Sequence, residues 1–265
     1  MTLKVATAQF APTTDKAHNL TQIRGLVHKA VGEGAELVVF PEYSTFTNSI
    51  IDESFVESAE PLDGKTVTEV RRISADNGVA VILGVNEPDG HGRMFNTLVA
   101  INNGEIQATY RKVHLYDAFG VKESAVVTAG PLTQPELMEI NGFRIGMQTC
   151  YDLRFPEVSR TLVDAGADVL ALPAEWVPGP LKEFHWTALL RARAIENTVY
   201  VAAADQSAPT GVGHSAIVDP MGISVAMIAD GTGLAQAEIN RERIDQVRQT
   251  NPALGMRRFQ VTPKD

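Results

Sequence analysis

The chain has 265 residues, 44% hydrophobic and 21% charged, a balance that excludes disorder and supplies a core large enough to need no staples. Its net charge of −9 offers no general attraction for nucleic acid or anionic lipid. One cysteine cannot form an internal disulfide, so a reducing, cytoplasmic setting fits; no apolar run is long enough to span a bilayer, and MTLKVATAQFAP has no signal-peptide pattern.

In chain order, LKVATAQF (3–10) reads as a buried strand. Residues 16–33 follow as a helix, with Leu20, Ile23, Val27, Ala30 and Val31 on one face and Asp15 as its cap. ELVVFPE (36–42) is the next strand, then a helix over 64–76 and strands at 79–85, 95–101 and 105–112. INNGEI (101–106) joins the last two through an Asn-Gly turn. A strand over 143–150 runs into a helix over 156–166, then a strand over 168–176. A helix over 182–196 aligns Trp186, Leu189, Leu190 and Ala194. Strands at 198–206, 214–220, 223–228 and 233–239 and a helix over 241–249 complete the pattern, with a hairpin turn at DPMGIS (219–224). Strands linked both by helices and by hairpins imply an α/β fold with mixed sheets and outer helices. No linker, repeat or charge block divides the chain, so one domain over residues 1–265 is expected.

Three strand ends carry reactive groups. Glu42 closes the apolar run VVFPE, where burial raises a carboxyl pKa toward the range useful for proton transfer. Lys112 ends a long strand, where a fixed ammonium can stabilise developing negative charge. Cys150 stands at a strand-to-helix corner in QTCYDLRFPE, where local positive potential favours a thiolate. Each has an ordinary reading too: a solvated glutamate, a surface lysine, an inert buried thiol. Together they make the set that covalent amide hydrolysis needs.

In order, FPE with Glu42, YRKVHL with Lys112 and CYDLRFPE with Cys150 resemble the three catalytic motifs of the nitrilase (carbon–nitrogen hydrolase) superfamily. The resemblance runs nearly end to end, through VATAQF, FNTLVAI, KESAVVTAG, HWTALLRARAIEN, GHSAIVDPMG and GLAQAEI. It implies a four-layer α-β-β-α sandwich. It also implies Glu42 as general base then acid, Lys112 supporting the tetrahedral intermediate and Cys150 forming a thioester. The N–H of Tyr151 becomes an oxyanion donor, and Glu123 a second glutamate near the lysine. The residues around the cysteine are similar to the omega-amidase and deaminated glutathione amidase branch, whose substrates are small carboxylate-bearing amides. Arg154 is then either a carboxylate clamp or part of a salt bridge in the site wall.

Tyr43 and Trp176 are placed at the pocket, Trp176 also as a candidate core or interface residue, and His114 supports the site by packing or hydrogen bonding. A papain-like pairing of Cys150 with His114 or His214 is the competing arrangement; the resemblance gives the base role to Glu42 and leaves His214 structural. Hydrolysis of an N-carbamoyl compound or a nitrile, acyl transfer to an amine, and a catalytically silent scaffold are the other readings. The six histidines are scattered, with no H-E-x-x-H and no cysteine cluster, so no metal or cofactor is expected. A homodimer or higher homo-oligomer is expected by resemblance, with the C-terminal tail available to cross onto a neighbour.

Overall fold

The computed structural model describes residues 1–264. Strand β1 (Thr2–Gln9) turns Leu3 and Val5 to one side and Ala6 and Ala8 to the other, the period of two for a sheet covered on both faces. Helix α1 (Lys16–Gly32) begins at Asp15, whose carboxylate accepts from the N–H groups of Ala17 and His18. There follow β2 (Leu37–Val39), a short α2 (Glu53–Glu57), α3 (Lys65–Asn77), β3 (Ala80–Pro88), β4 (Met94–Asn102) and β5 (Glu105–Arg111). The later elements are β6 (Leu137–Ile140), β7 (Phe143–Met147), α4 (Pro156–Asp164), β8 (Val169–Ala174), α5 (Lys182–Asn197) and β9 (Tyr200–Asp205). Last come β10 (Ala216–Val218), β11 (Ser224–Met227), β12 (Gly233–Asn240) and α6 (Arg241–Thr250).

The strands form two six-stranded sheets, ordered β12-β1-β2-β3-β4-β5 and β11-β10-β9-β8-β7-β6. Each has three parallel strands at its centre, β1-β2-β3 or β7-β8-β9, and antiparallel strands at its edges. One apolar layer lies between the sheets, where Val5, Leu37 and Ile82 meet Ile145, Val169 and Ala202. A second lies between the first sheet and α1 and α3, a third between the second sheet and α4 and α5. This is the expected α-β-β-α sandwich, held by side chains whose burial contributes roughly 1.5–3 kcal/mol each.

Two elements were not legible in the pattern. Helix α2 spans five residues and is fixed by one anchor, Phe55, packed edge-on against Tyr43 and Phe46. Strand β6 is an edge strand defined by pairing with β7 across a turn in which Asn141 and Gly142 both have positive φ. Several boundaries also move; the strand expected over 36–42 stops at Val39 and that over 168–176 at Ala174. The strand expected over 143–150 stops at Met147, and Cys150 opens a 3-10 turn, Cys150–Arg154, with φ of 42°.

Candidate active site

The sheet order explains why distant residues meet. Strands β2, β7 and β8 present their C-terminal ends, and β5 runs in the same direction as β3 because two antiparallel steps separate them. Loops leaving these ends carry Glu42, Lys112, Cys150 and Glu175. The N–H of Glu175 donates to Glu42 Oε2 at 2.8 Å, which joins the two sheets at this end.

Glu42 lies just past β2, in a turn laid against β3. Phe40 N–H donates to the Ile82 carbonyl (2.7 Å) and Gly84 N–H to the Pro41 carbonyl (3.1 Å). A Cβ on Gly84 would stand 2.5 Å from Tyr43 N and 2.8 Å from Glu42 Cα, so the turn needs glycine at that position. Glu42 is 1% exposed. Burial pushes its carboxyl pKa up, and the Lys112 charge opposes that shift.

Lys112 follows β5 and is 2% exposed. Its Nζ donates to Glu42 Oε1 at 2.9 Å and to Glu123 Oε1 and Oε2 at 3.0 and 2.9 Å. Burial disfavours its charge, but Glu123 and Glu42 outweigh burial and hold it above the usual lysine range, so it stays a cation. Glu123 also accepts from Tyr43 Oη (2.8 Å), Asn96 Nδ2 (3.2 Å) and Tyr116 N–H (2.5 Å). These donors occupy both its oxygens. Glu42 keeps more freedom: Oε1 accepts from Lys112 and from Asn96 Nδ2 (2.6 Å), while Oε2 accepts only from Glu175 N–H.

Cys150 Sγ is 3.4 Å from the Glu175 carbonyl oxygen, and the residue is 6% exposed. Burial and the Glu42 charge push the thiol pKa well above its ordinary value, against a lowering by Lys112. The resting group is therefore a thiol and not the thiolate expected at this corner. Asp152 fixes the turn that presents it. Its Oδ2 accepts from Thr149 N–H (3.0 Å) and Tyr110 Oη (2.7 Å), and its Oδ1 from His114 N–H (3.1 Å).

Glu42, Tyr43, Lys112, Glu123, Cys150, Tyr151, Arg154 and Trp176 all line one cavity of about 540 Å³. His114 lies outside that lining: its ring stacks on Phe155 at 3.7 Å, and Nδ1 is 2.8 Å from Asp152 Oδ1. It braces the cysteine turn through that stacking and that contact. His214 accepts through its carbonyl from Trp186 Nε1 at 3.0 Å. Trp176 both lines the cavity and packs on Trp186 in the core, ring centres 5.3 Å apart. Arg154 has no ion pair among the described residues, and its Nε and Nη2 are buried without a partner.

Sequence reasoning missed Asn96, Asp152, Glu175 and Lys182. Asn96 sits inside the FNTLVAI motif, where a polar residue on an apolar strand is a usable signal. Glu175 follows a fully apolar strand, as Glu42 does, and burial beside Glu42 pushes its carboxyl up to about 8. Asp152 was legible as a polar companion of the cysteine and as the last residue of a Thr149-x-x-Asp152 capping box, while Lys182 carried no such signal.

Comparison with known proteins agrees with this geometry. The family model for carbon-nitrogen hydrolase matches residues 4–249. The chain is 41% identical over 255 residues to deaminated glutathione amidase of Escherichia coli O157:H7, covering 96% of this chain and 97% of that protein. It is 36% identical to the Bos taurus enzyme of the same name, over 96% of this chain and 81% of that one. A Saccharomyces cerevisiae member of branch 10 of the nitrilase superfamily superposes with a TM-score of 0.86 at 27% identity, over 97% of each chain. A mutant amidase from Nesterenkonia sp., with the acetamide moiety of fluoroacetamide covalently added at its active-site cysteine, superposes at 0.81 and 27% identity, over 96% of each chain. The chain belongs to the carbon-nitrogen hydrolase family, as a hydrolase of C–N bonds built on the nitrilase-superfamily fold.

Proposed function

We propose that the protein is an amidase that cleaves a small carboxylate-bearing amide through a thioester on Cys150. The observation that carries this reading is the contact set around Lys112, which puts a buried cation between two buried carboxylates beside the only thiol of the chain.

Cys150 Sγ attacks the amide carbon while Glu42 takes the thiol proton. The carbonyl electron pair moves onto oxygen, held by Lys112 and the N–H of Tyr151. Collapse of the tetrahedral intermediate breaks the C–N bond, and Glu42 returns the proton to the leaving nitrogen, releasing ammonia or an amine. Water then attacks the thioester, with Glu42 accepting its proton and passing it to the departing sulfur. Burial of Glu42 suits both halves, because a raised carboxyl pKa lets one group accept and then donate near neutral pH. Glu123 holds Lys112 in line and does not touch the reacting atoms.

The similarity to deaminated glutathione amidases favours an acyl group with its own carboxylate. The cationic Arg154 in the cavity supports the same choice over nitriles and simple amides. A reducing compartment such as the cytoplasm suits a nucleophile that must stay a free thiol. Self-association as a homodimer is supported by an apolar surface at Ile195, Met221, Ile223, Val225 and Met227, all exposed, where α5 abuts the β10–β11 turn.

The test is release of ammonia or amine from a panel of omega-amides of dicarboxylic acids, deaminated glutathione, N-carbamoyl amino acids, aliphatic amides and nitriles, each beside Cys150→Ala. Cysteine-dependent turnover led by carboxylate-bearing amides is expected. Turnover led by nitriles or carbamoyl compounds would replace this reading, and turnover retained by Cys150→Ala would remove it.

A further inference from the structure

Lys182 lines the same cavity as a cation that the mechanism does not use. Lys182 opens α5 and is 5% exposed. Its Nζ donates to Tyr116 Oη at 3.0 Å and otherwise faces rings, 4.5 Å from the centre of Phe119 and 5.4 Å from that of Trp176. No carboxylate pairs with it among the described residues. Arg154 approaches the same Trp176 ring, with Cζ 4.7 Å from its centre, and likewise has no ion pair. Both line the cavity that holds Cys150. The acids at the opposite side are already engaged: Glu42 and Glu123 hold Lys112, and Glu175 bonds Thr47 Oγ1 (2.9 Å) and Gln206 Nε2 (3.0 Å).

A buried, unpaired ammonium is costly, and two cations against one indole repel each other. Burial lowers the Lys182 pKa, and the Arg154 charge adds to it. An anion arriving between the two cations relieves desolvation and repulsion together. A planar carboxylate suits the pair, since a guanidinium binds two oxygens side by side and an ammonium adds a point charge.

We propose that Lys182 is a specificity-determining residue, and that with Arg154, beside the same Trp176 and Phe119 rings, it forms a two-cation subsite for a carboxylate on the acyl half of the substrate. The proposal rests on the amidase reading above. The leaving nitrogen departs and the acyl group stays on Cys150, so a carboxylate held here remains anchored through both halves of the reaction.

Two measurements separate this subsite from that reading. The first compares kcat/KM for glutaramate, which ends in a carboxylate, with that for uncharged pentanamide. In Lys182→Gln the ratio should fall by roughly 10–100-fold, the loss of one charged hydrogen bond. Lys182→Arg should recover most of it. An equal loss on both substrates would mark a structural role and overturn the proposal, as would an unchanged ratio.

The second measures binding of glutarate by calorimetry to Cys150→Ala, with and without Lys182→Gln. Weakening by about the same factor supports the subsite even if no amide is turned over, a result that would sink only the amidase reading. Equal glutarate affinity in the two proteins overturns the subsite whatever the turnover.

Discussion

Lys112 Nζ lies 2.9 Å from Glu42 Oε1 and 2.9 Å from Glu123 Oε2, all three side chains almost fully buried. The two carboxylates differ in their partners. Glu123 is saturated by Tyr43, Tyr116, Asn96 and Lys112, whereas among the described residues Glu42 Oε2 accepts from one backbone N–H only.

Replacing the nucleophile should remove chemistry and spare the fold. Cys150→Ala is expected to lose roughly 10⁴-fold or more in kcat, by analogy with loss of a triad member, with a melting temperature close to that of the parent. Side-by-side assay and thermal melting check it; activity within tenfold of the parent would refute the assignment.

Lys112→Met should cost about 10²–10³-fold in kcat as the oxyanion loses its charge partner. It should also destabilise by about 3–5 kcal/mol, because two carboxylates stay buried without their cation. Denaturant titration would show that loss shrinking as pH falls and the carboxyls take up protons. A pure rise in KM would point to a binding role instead.

Glu123→Gln tests positioning. The amide keeps an acceptor for only one of Tyr43 and Tyr116, which donate to different oxygens, and offers Lys112 no charge. We expect kcat to fall roughly 10–100-fold with KM little changed, a cost of about 1.5–3 kcal/mol, and Glu123→Asp to recover part of it. A change confined to KM would place Glu123 on the substrate.

The Glu175 carboxyl is pushed up to about 8, chiefly by burial and then by the Glu42 charge. A carboxyl raised on folding favours the folded state while protonated. Its contribution is therefore full below the ordinary value of 4.5 and is lost as pH rises through about 8. Glu175→Gln, which cannot ionise, should flatten the fall in stability between these limits by on the order of a few kcal/mol. Melting curves from acid to alkaline pH for the two proteins decide it; parallel curves would mean that Glu175 titrates normally.

Gly84→Ala puts a methyl group 2.5 Å from Tyr43 N, against backbone that cannot swing aside. A loss of about 1–3 kcal/mol in stability is expected, with a fall in kcat as the Glu42 turn is displaced. Full activity at unchanged stability would show that the turn is not clamped there.

The sequence by itself determined the apolar strands, the capped helix after Asp15, the hairpins, and the three reactive residues at strand ends. These are local properties: period-two burial, turn chemistry and side-chain type are all present within a few residues. It also carried enough motif to point to the nitrilase superfamily before any coordinates. What only the tertiary structure decided is which groups share a cavity. Asn96 became a bridge between two carboxylates, Asp152 the link from the cysteine turn to Tyr110 and His114, and Lys182 a partner of Arg154 beside Trp176, because sheet order and the facing of two sheets bring them together. His114, two residues from Lys112, was turned away from the cavity by the Asp152 carboxylate and the Phe155 ring. Most of those contacts span tens of residues along the chain, and no periodicity records them.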